Sequence, residues 1–365
     1  MMMVGISGCT ALLVTGFGIK DSIADVAVKQ FQEIQTYDIG ISLKEAAGEE
    51  VEEALGKMKA SGVEAYTFVM EKNVDLVAEG GTKSVYLVAG SREGMEPFLN
   101  LHTTGGAAID YPGLGKAVIS NRLSEDYNVR IGDMITLRDE NLRDMTVEVS
   151  GIYENYIYNY VHISEDTWRE LTGEEPERKT VYLNLAGEAS EDSPIQGVSA
   201  HEVSAELMKL EQVANVTVNR DFMERIGNMM ASLDIIVVVV ILCAAGLAFV
   251  VLYNLTNINI TERVREIATI KVLGFYKRET AAYVFRENIM LTGLGMLLGL
   301  GLGRLLHAFV MNEIRVDLMS FHIYVKPVSY LYSGLLTMVF AWGVNLAMGG
   351  RLEGISMTES LKSID

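Results

Sequence analysis

The chain has 365 residues, 49% of them apolar, and its 48 acidic and 30 basic side chains give a formal net charge of −18. The charge is unevenly placed: residues 19–234 hold 39 acidic and 19 basic side chains, and the rest of the chain is close to neutral. This pattern excludes a nucleic-acid partner, which would need a basic surface, and predicts an acidic, water-exposed domain joined to a membrane part.

Met1 to Phe17 is apolar and uncharged, but short of the roughly 20 residues that cross a hydrocarbon core. No basic residue precedes it, so it does not read as a signal peptide. The expectation is that the chain as given begins inside transmembrane helix 1, placed at 1–18, its lead-in belonging to a longer protein or to a missed start codon. Asp21 to about Glu33 is expected to continue as an amphipathic helix.

The acidic domain, expected over 19–230, alternates strand and helix. Tyr37–Leu43, a helix over 46–60 and Val63–Met70 make one β-α-β unit, and Thr180–Leu185, His201–Leu210 and Val213–Val218 make a second. Two such units bracketing an insertion predict a split α/β layer whose sheet packs on two helices. The insertion, about 85–165, is rich in β signals: Val118–Ser120, Met134–Leu137, Met145–Ile152 and Tyr158–Ile163. Tyr153, Tyr156, Tyr158 and Tyr160 cluster there and are read as ordinary β-surface packing rather than a stacking platform.

Three apolar helices follow, at about 233–256, 286–311 and 327–350, within a membrane domain spanning 231–365. The expected fold class is thus integral membrane and α-helical, with four transmembrane helices and a large extracytoplasmic α/β domain between helices 1 and 2. Between the second and third helices, loop 257–285 carries Arg263, Arg265, Lys271, Lys277 and Arg278. The positive-inside rule assigns it to the cytoplasm, which sends the acidic domain outside and the C-terminus inside. Within the loop, Thr261 to Gly274 reads as a short amphipathic helix, with Ile260, Val264, Ile267 and Ile270 at helical spacing.

In the third span Gly295, Gly299 and Gly303 repeat every fourth residue, a face that lets a second helix approach closely. Arg304 and His307 lie near the end of the same span, where Arg304 can snorkel to the interface. Five histidines fall at no metal-ligand spacing, both cysteines (Cys9 and Cys243) sit in apolar runs, and phosphate-loop and nucleophile-elbow motifs are absent. The residues therefore predict no catalytic group, cofactor or metal.

The run from Asn254 to Gly303, NLTNINITERVREIATIKVLGFYKRETAAYVFRENIMLTGLGMLLGLGLG, resembles the C-terminal permease module of FtsX-like ABC transporter permeases of the macrolide-exporter and lipoprotein-release type. Glu262, Arg263, Arg265, Glu266, Ile267, Lys271, Leu273, Gly274 and Glu287 carry the resemblance. It implies a multi-pass plasma-membrane permease without enzymatic activity, worked by a separate cytoplasmic ABC ATPase. A second permease module or a homodimer partner is implied beside it in the bilayer. Glu262, Arg263, Arg265, Glu266 and Lys271 would dock the ATPase, with Leu273, Gly274 and Phe275 beside them, and the stroke would drive export or extraction of a substrate at the outer face. The family also implies an alternative, a non-transporting relay that activates a cell-wall hydrolase or a sensor kinase. A membrane-anchored enzyme finds no reactive constellation in its support.

Overall fold

The computed structural model describes residues 2–24, 26–58, 62–78, 81–186, 199–273, 276–314, 319–321 and 323–353. They divide into two compact units: Met1–Ala24, Met230–Arg315 and Phe321–Asp365 in one, Asp25–Met229 and Val316–Ser320 in the other.

The second unit starts with α2 (Val26–Val28) and a π-helical turn, Lys29–Ile34, so the stretch expected to be an amphipathic helix is helical with Val26, Gln30 and Ile34 buried, but its last six residues wind as a π-helix. The physical reason is a buried polar network. The Gln30 side chain accepts hydrogen bonds from the backbone N–H groups of Tyr156 (2.9 Å) and Ile157 (3.1 Å) and donates to Asn155 (3.0 Å). A regular helix would turn that side chain elsewhere and leave two buried donors unpaired.

Strands β1 (Ile39–Leu43), β2 (Val63–Ala78), β8 (Thr180–Leu185) and β9 (Val213–Val218) form an antiparallel sheet in the order β2-β8-β1-β9. Helices α3 (Glu49–Met58) and α7 (Ala200–Leu207) cover one face. Their Val51, Leu55, Val203 and Leu207 pack on Ile39, Ile41, Val181 and Leu183, every second residue of β1 and β8. The interleaved order is that of a split βαβ layer.

The insertion is a closed barrel. β2 runs on well past Met70 and pairs with β3 (Gly81–Gly90), and the ring continues through β7 (Tyr160–Ser164), β4 (Lys116–Ser120), β6 (Asp144–Tyr153) and β5 (Met134–Arg138) back to β2. Closure removes the exposed edges that an open sheet of this size would present. Val74, Leu76, Leu87, Ile119, Val147 and Val161 fill the interior with side chains, and Trp168 of α6 (Glu165–Thr172) joins the same cluster. Two short helices complete the set, α4 (Arg92–Met95) and α5 (Asn121–Tyr127).

The four tyrosines do not form a strand surface, contrary to expectation. Tyr153 ends β6, Tyr160 begins β7, and between them Tyr158 takes φ 61°, a left-handed conformation that no strand admits. Tyr153 and Tyr156 are buried. Tyr153 shares a 3.2 Å hydrogen bond with His162, whose ring is buried against the outside of the barrel wall.

The other unit is helical: α1 (Met2–Ala24), most of α8 (Asn219–Glu262), α9 (Val264–Val272), α10 (Lys277–Glu313) and α11 (Pro327–Glu353). Four of its segments are long and apolar enough to cross a membrane: Met3–Ala24, Val238–Glu262, Asn288–Glu313 and Pro327–Met348. Its polarity is inverted relative to a water-soluble core. Thr10, Ser333, Thr337 and His307 are fully buried, while Leu242, Leu297, Leu305, Leu331 and Trp342 are exposed. Hydrocarbon makes that arrangement favourable, since apolar side chains gain nothing by leaving lipid and polar ones find partners only inside. Thr10 meets Thr337 at 3.2 Å, and Thr15 donates to the Gly303 carbonyl at 3.3 Å.

Burial pushes the His162 imidazole down from 6.5 to about 3. A depressed histidine means that the unfolded chain takes up the proton first. Its contribution to stability is present above pH 6.5 and is lost as pH falls from there toward 3, at about 1.4 kcal/mol per pH unit for one proton. His162→Gln should make acid unfolding shallower across that window, by up to one proton in the pH dependence of unfolding measured by denaturant titration.

Candidate functional site

The charged stretch between the second and third long helices was expected to be a helix starting at Thr261. Instead α8 stays helical through Glu262, with Thr261 bonding back to the Asn257 carbonyl at 2.8 Å. The chain turns at Arg263, and a separate short helix, α9, begins at Val264. The Ile267 N–H donates to the Arg263 carbonyl at 3.0 Å, and the Leu273 N–H closes the last turn on Thr269 at 3.0 Å. Apolar periodicity continues across the break, which is why the sequence alone does not reveal it.

Two faces result. Ile260, Ile267 and Ala268 are buried, the first two clustered with Ile6, Leu252, Val344 and Met348 of the surrounding helices. On the other side Glu262, Arg265 and Glu266 are exposed and Arg263 is half-buried. Lys271 lies in the last turn of α9. Val272, Leu273 and Tyr276 are exposed at 56%, 72% and 79%, an apolar edge against the charged one. Tyr276 is the N-cap of α10, and its backbone N–H donates to the Glu279 carboxylate at 2.9 Å. Gly274 and Phe275 lie outside the described residues. The surface of α9 and its flanks therefore carries both signs of charge beside exposed apolar side chains.

The glycines of α10 face α1. A Cβ added at Gly295 would lie 3.0 Å from the Ile6 side chain, one at Gly299 2.5 Å from Thr10 and 2.7 Å from the Ser7 carbonyl, and one at Gly303 2.6 Å from Val14 and 3.1 Å from the Ala11 Cα. Gly293 and Gly301, on other faces of the same helix, have nothing within 4 Å. The seam is thus backbone against backbone, the closest approach two helices make.

A polar cluster caps the other end of this bundle. One Asp21 carboxylate oxygen accepts from the Lys326 N–H (2.9 Å) and the Ser329 hydroxyl (2.6 Å), serving as a side-chain cap for the start of α11. Ser22 meets His307 at 3.1 Å, and that histidine is fully buried while Arg304, one turn earlier, is exposed. Residue-by-residue reading did not join these groups, because they lie 285 to 308 positions apart in the chain. Among the described residues no group of three or more His, Cys, Asp or Glu side chains could hold a metal ion.

Residues 238–352 match the family model described as FtsX-like permease C-terminal. Comparison with curated proteins gives no match. Among solved structures, the periplasmic region of MacB from Actinobacillus actinomycetemcomitans is similar at 12% identity over 55% of this chain and 98% of that one, with a TM-score of 0.34. The extracellular domain of the noncanonic ABC-type transporter YknZ from Gram-positive bacteria is similar at 12% identity over 48% of this chain and 100% of that one, with a TM-score of 0.31.

The seam has a direct test. Gly299→Leu should destabilise the helical unit by about 1–3 kcal/mol or more, the usual cost of overpacking, whereas Gly301→Leu should change little. Thermal unfolding of the two variants in detergent, compared by circular dichroism, reads the difference; equal stabilities would contradict the close packing of α1 on α10.

Proposed function

We propose that the chain is the permease subunit of an ABC transporter, worked by a separate cytoplasmic ATPase, a reading supported by the match of residues 238–352 to the FtsX-like permease C-terminal family. The observation that carries the reading is α9 with its flanks: a short helix between two long apolar ones, its inner face anchored by Ile267 and Ala268 and its outer face offering both charges and apolar side chains. Glu262, Arg263, Arg265, Glu266 and Lys271 form the charged part of the dock, with Leu273 as the exposed apolar anchor. Gly274 and Phe275 keep the role the resemblance implies.

The positive-inside rule supports a cytoplasmic α9 and hence an extracytoplasmic acidic domain and a cytoplasmic C-terminus. Movement imposed on α9 by the ATPase passes to the bundle through Ile267, which packs with Leu252 of α8. α8 is one continuous helix from Asn219 to Glu262, so the chain that leaves the acidic domain is the same helix that reaches α9. The stroke then moves the acidic domain and drives export or extraction of a substrate there. The seam of Gly295, Gly299 and Gly303 holds α1 to α10 during that movement.

Two measurements test this. Arg263→Glu combined with Arg265→Glu should leave membrane insertion intact and abolish co-purification and stimulation of the ATPase; normal co-purification would sink the docking assignment. A second permease module or a second copy is expected against α8 or α10, whose spans are each 22% buried compared with 56% for α1. Exposed Cys243 lies on α8 and reports on that face. If the partner is a second copy packed on this face, mild oxidation in membranes should give a covalent dimer that Cys243→Ser removes, and absence of that dimer argues against the homodimer.

A further inference from the structure

The alternation that buries one face of the four-stranded sheet under α3 and α7 leaves its opposite face to Gly40, Ser42, Thr180, Tyr182 and Thr217. Four of these five side chains are small, and where they meet the outer wall of the barrel a cavity of about 180 Å³ remains. Tyr37 stacks on Tyr182 at one side, ring centroids 4.2 Å apart and 10° from parallel. Tyr158 and Tyr160 meet edge to face at 6.4 Å, and both line the cavity together with Phe222.

One acidic side chain lines this aromatic enclosure. Glu71 lies on β2 where the strand passes from sheet to barrel, opposite Val88 of β3. Its neighbour Met70 and then Val74 and Leu76 point into the barrel core, so the alternation turns Glu71 outward to the cavity. Its hydrogen bond is a long one, 3.5 Å from the Tyr182 hydroxyl. Among the described residues no Lys or Arg lines the cavity. Burial holds the carboxyl above its ordinary range, and the Tyr182 hydroxyl only partly opposes that.

Glu71 is half-buried; a carboxylate partly withdrawn from water with no cation lining its cavity is costly, and the negative faces of tyrosine rings add to the field favouring a cation. An anionic ligand would be repelled, and a neutral one would leave the charge uncompensated. We propose that this cavity binds an alkylammonium cation, with Glu71 as its counter-ion and Tyr37, Tyr158, Tyr160, Tyr182 and Phe222 as its aromatic walls. The site is built wholly from residues of the acidic unit, so it holds or fails independently of the transporter reading.

Choline and its neutral carbon isostere 3,3-dimethyl-1-butanol are the probes, titrated calorimetrically into the full chain in a maltoside detergent free of choline lipids. Choline should bind saturably and at least tenfold more tightly than the isostere. Glu71→Gln should erase that preference, and Thr217→Phe, which fills the floor from an edge strand without touching the charge, should abolish binding of both. Each variant is checked for unchanged thermal unfolding, and either one that folds suffices. No saturable choline binding, equal affinity for the two probes, or binding indifferent to the folded variants would overturn the proposal.

Discussion

The strand β2 is the constraint on which the acidic unit depends. Its 16 residues belong to two sheets in succession: Val63–Val69 pair with β8 in the four-stranded layer, and Met70–Ala78 pair with β3 in the barrel. Continuous backbone hydrogen bonding carries one strand through both, so the twist and facing of one sheet set those of the other. A one-residue slip in β2 would move Val74 and Leu76 out of the barrel core and turn Glu71 into it. Few side-chain exchanges could do comparable damage, because register, once shifted, reverses the facing of every residue in the strand.

In the helical unit the controlling physics is of another kind. Lipid offers apolar side chains no reason to hide, so association depends on close approach and on polar groups that must find partners. Both operate on α1. Its Ser7, Thr10 and Val14 receive the bare backbone of α10 at Gly299 and Gly303, and its Asp21 and Ser22 bind Lys326, Ser329 and His307 at the end of the bundle. The short α9 lies in the same unit, tied by Ile267 to Leu252, Val344 and Met348. One face of this helix is thus fixed on the bundle while the other keeps its charges exposed.

Local features of the sequence carried much of this. The apolar spans, the two flanking β-α-β units, the β-rich middle and the charged connector are each marked by composition or by a period of 2 or 3.6, which depend on neighbouring residues alone. Thr180–Leu185 and Val213–Val218 are strands at the limits their residues indicate, because alternation and turn residues bound them on both sides. Where two local signals overlapped, reading went astray. The apolar period runs from Ile260 through Ile267 without interruption, so nothing announces the turn at Arg263. The tyrosines from 153 to 160 carry a β preference that suggests surface packing, and only the left-handed Tyr158 and the Gln30 network, brought from over a hundred residues away, set Tyr156 and Tyr158 off the strands.

What the sequence determined by itself was therefore the class of each segment, since hydrophobic burial and periodicity act segment by segment. Tertiary structure alone decided the rest. It closed the middle strands into a barrel, seated Gly299 on Thr10, joined Asp21 to the start of α11, and set Glu71 among tyrosines from three separate segments. Each of these pairs residues far apart in the chain, and such a pairing is fixed by which surfaces fit and which hydrogen bonds must be met, conditions that no local period records.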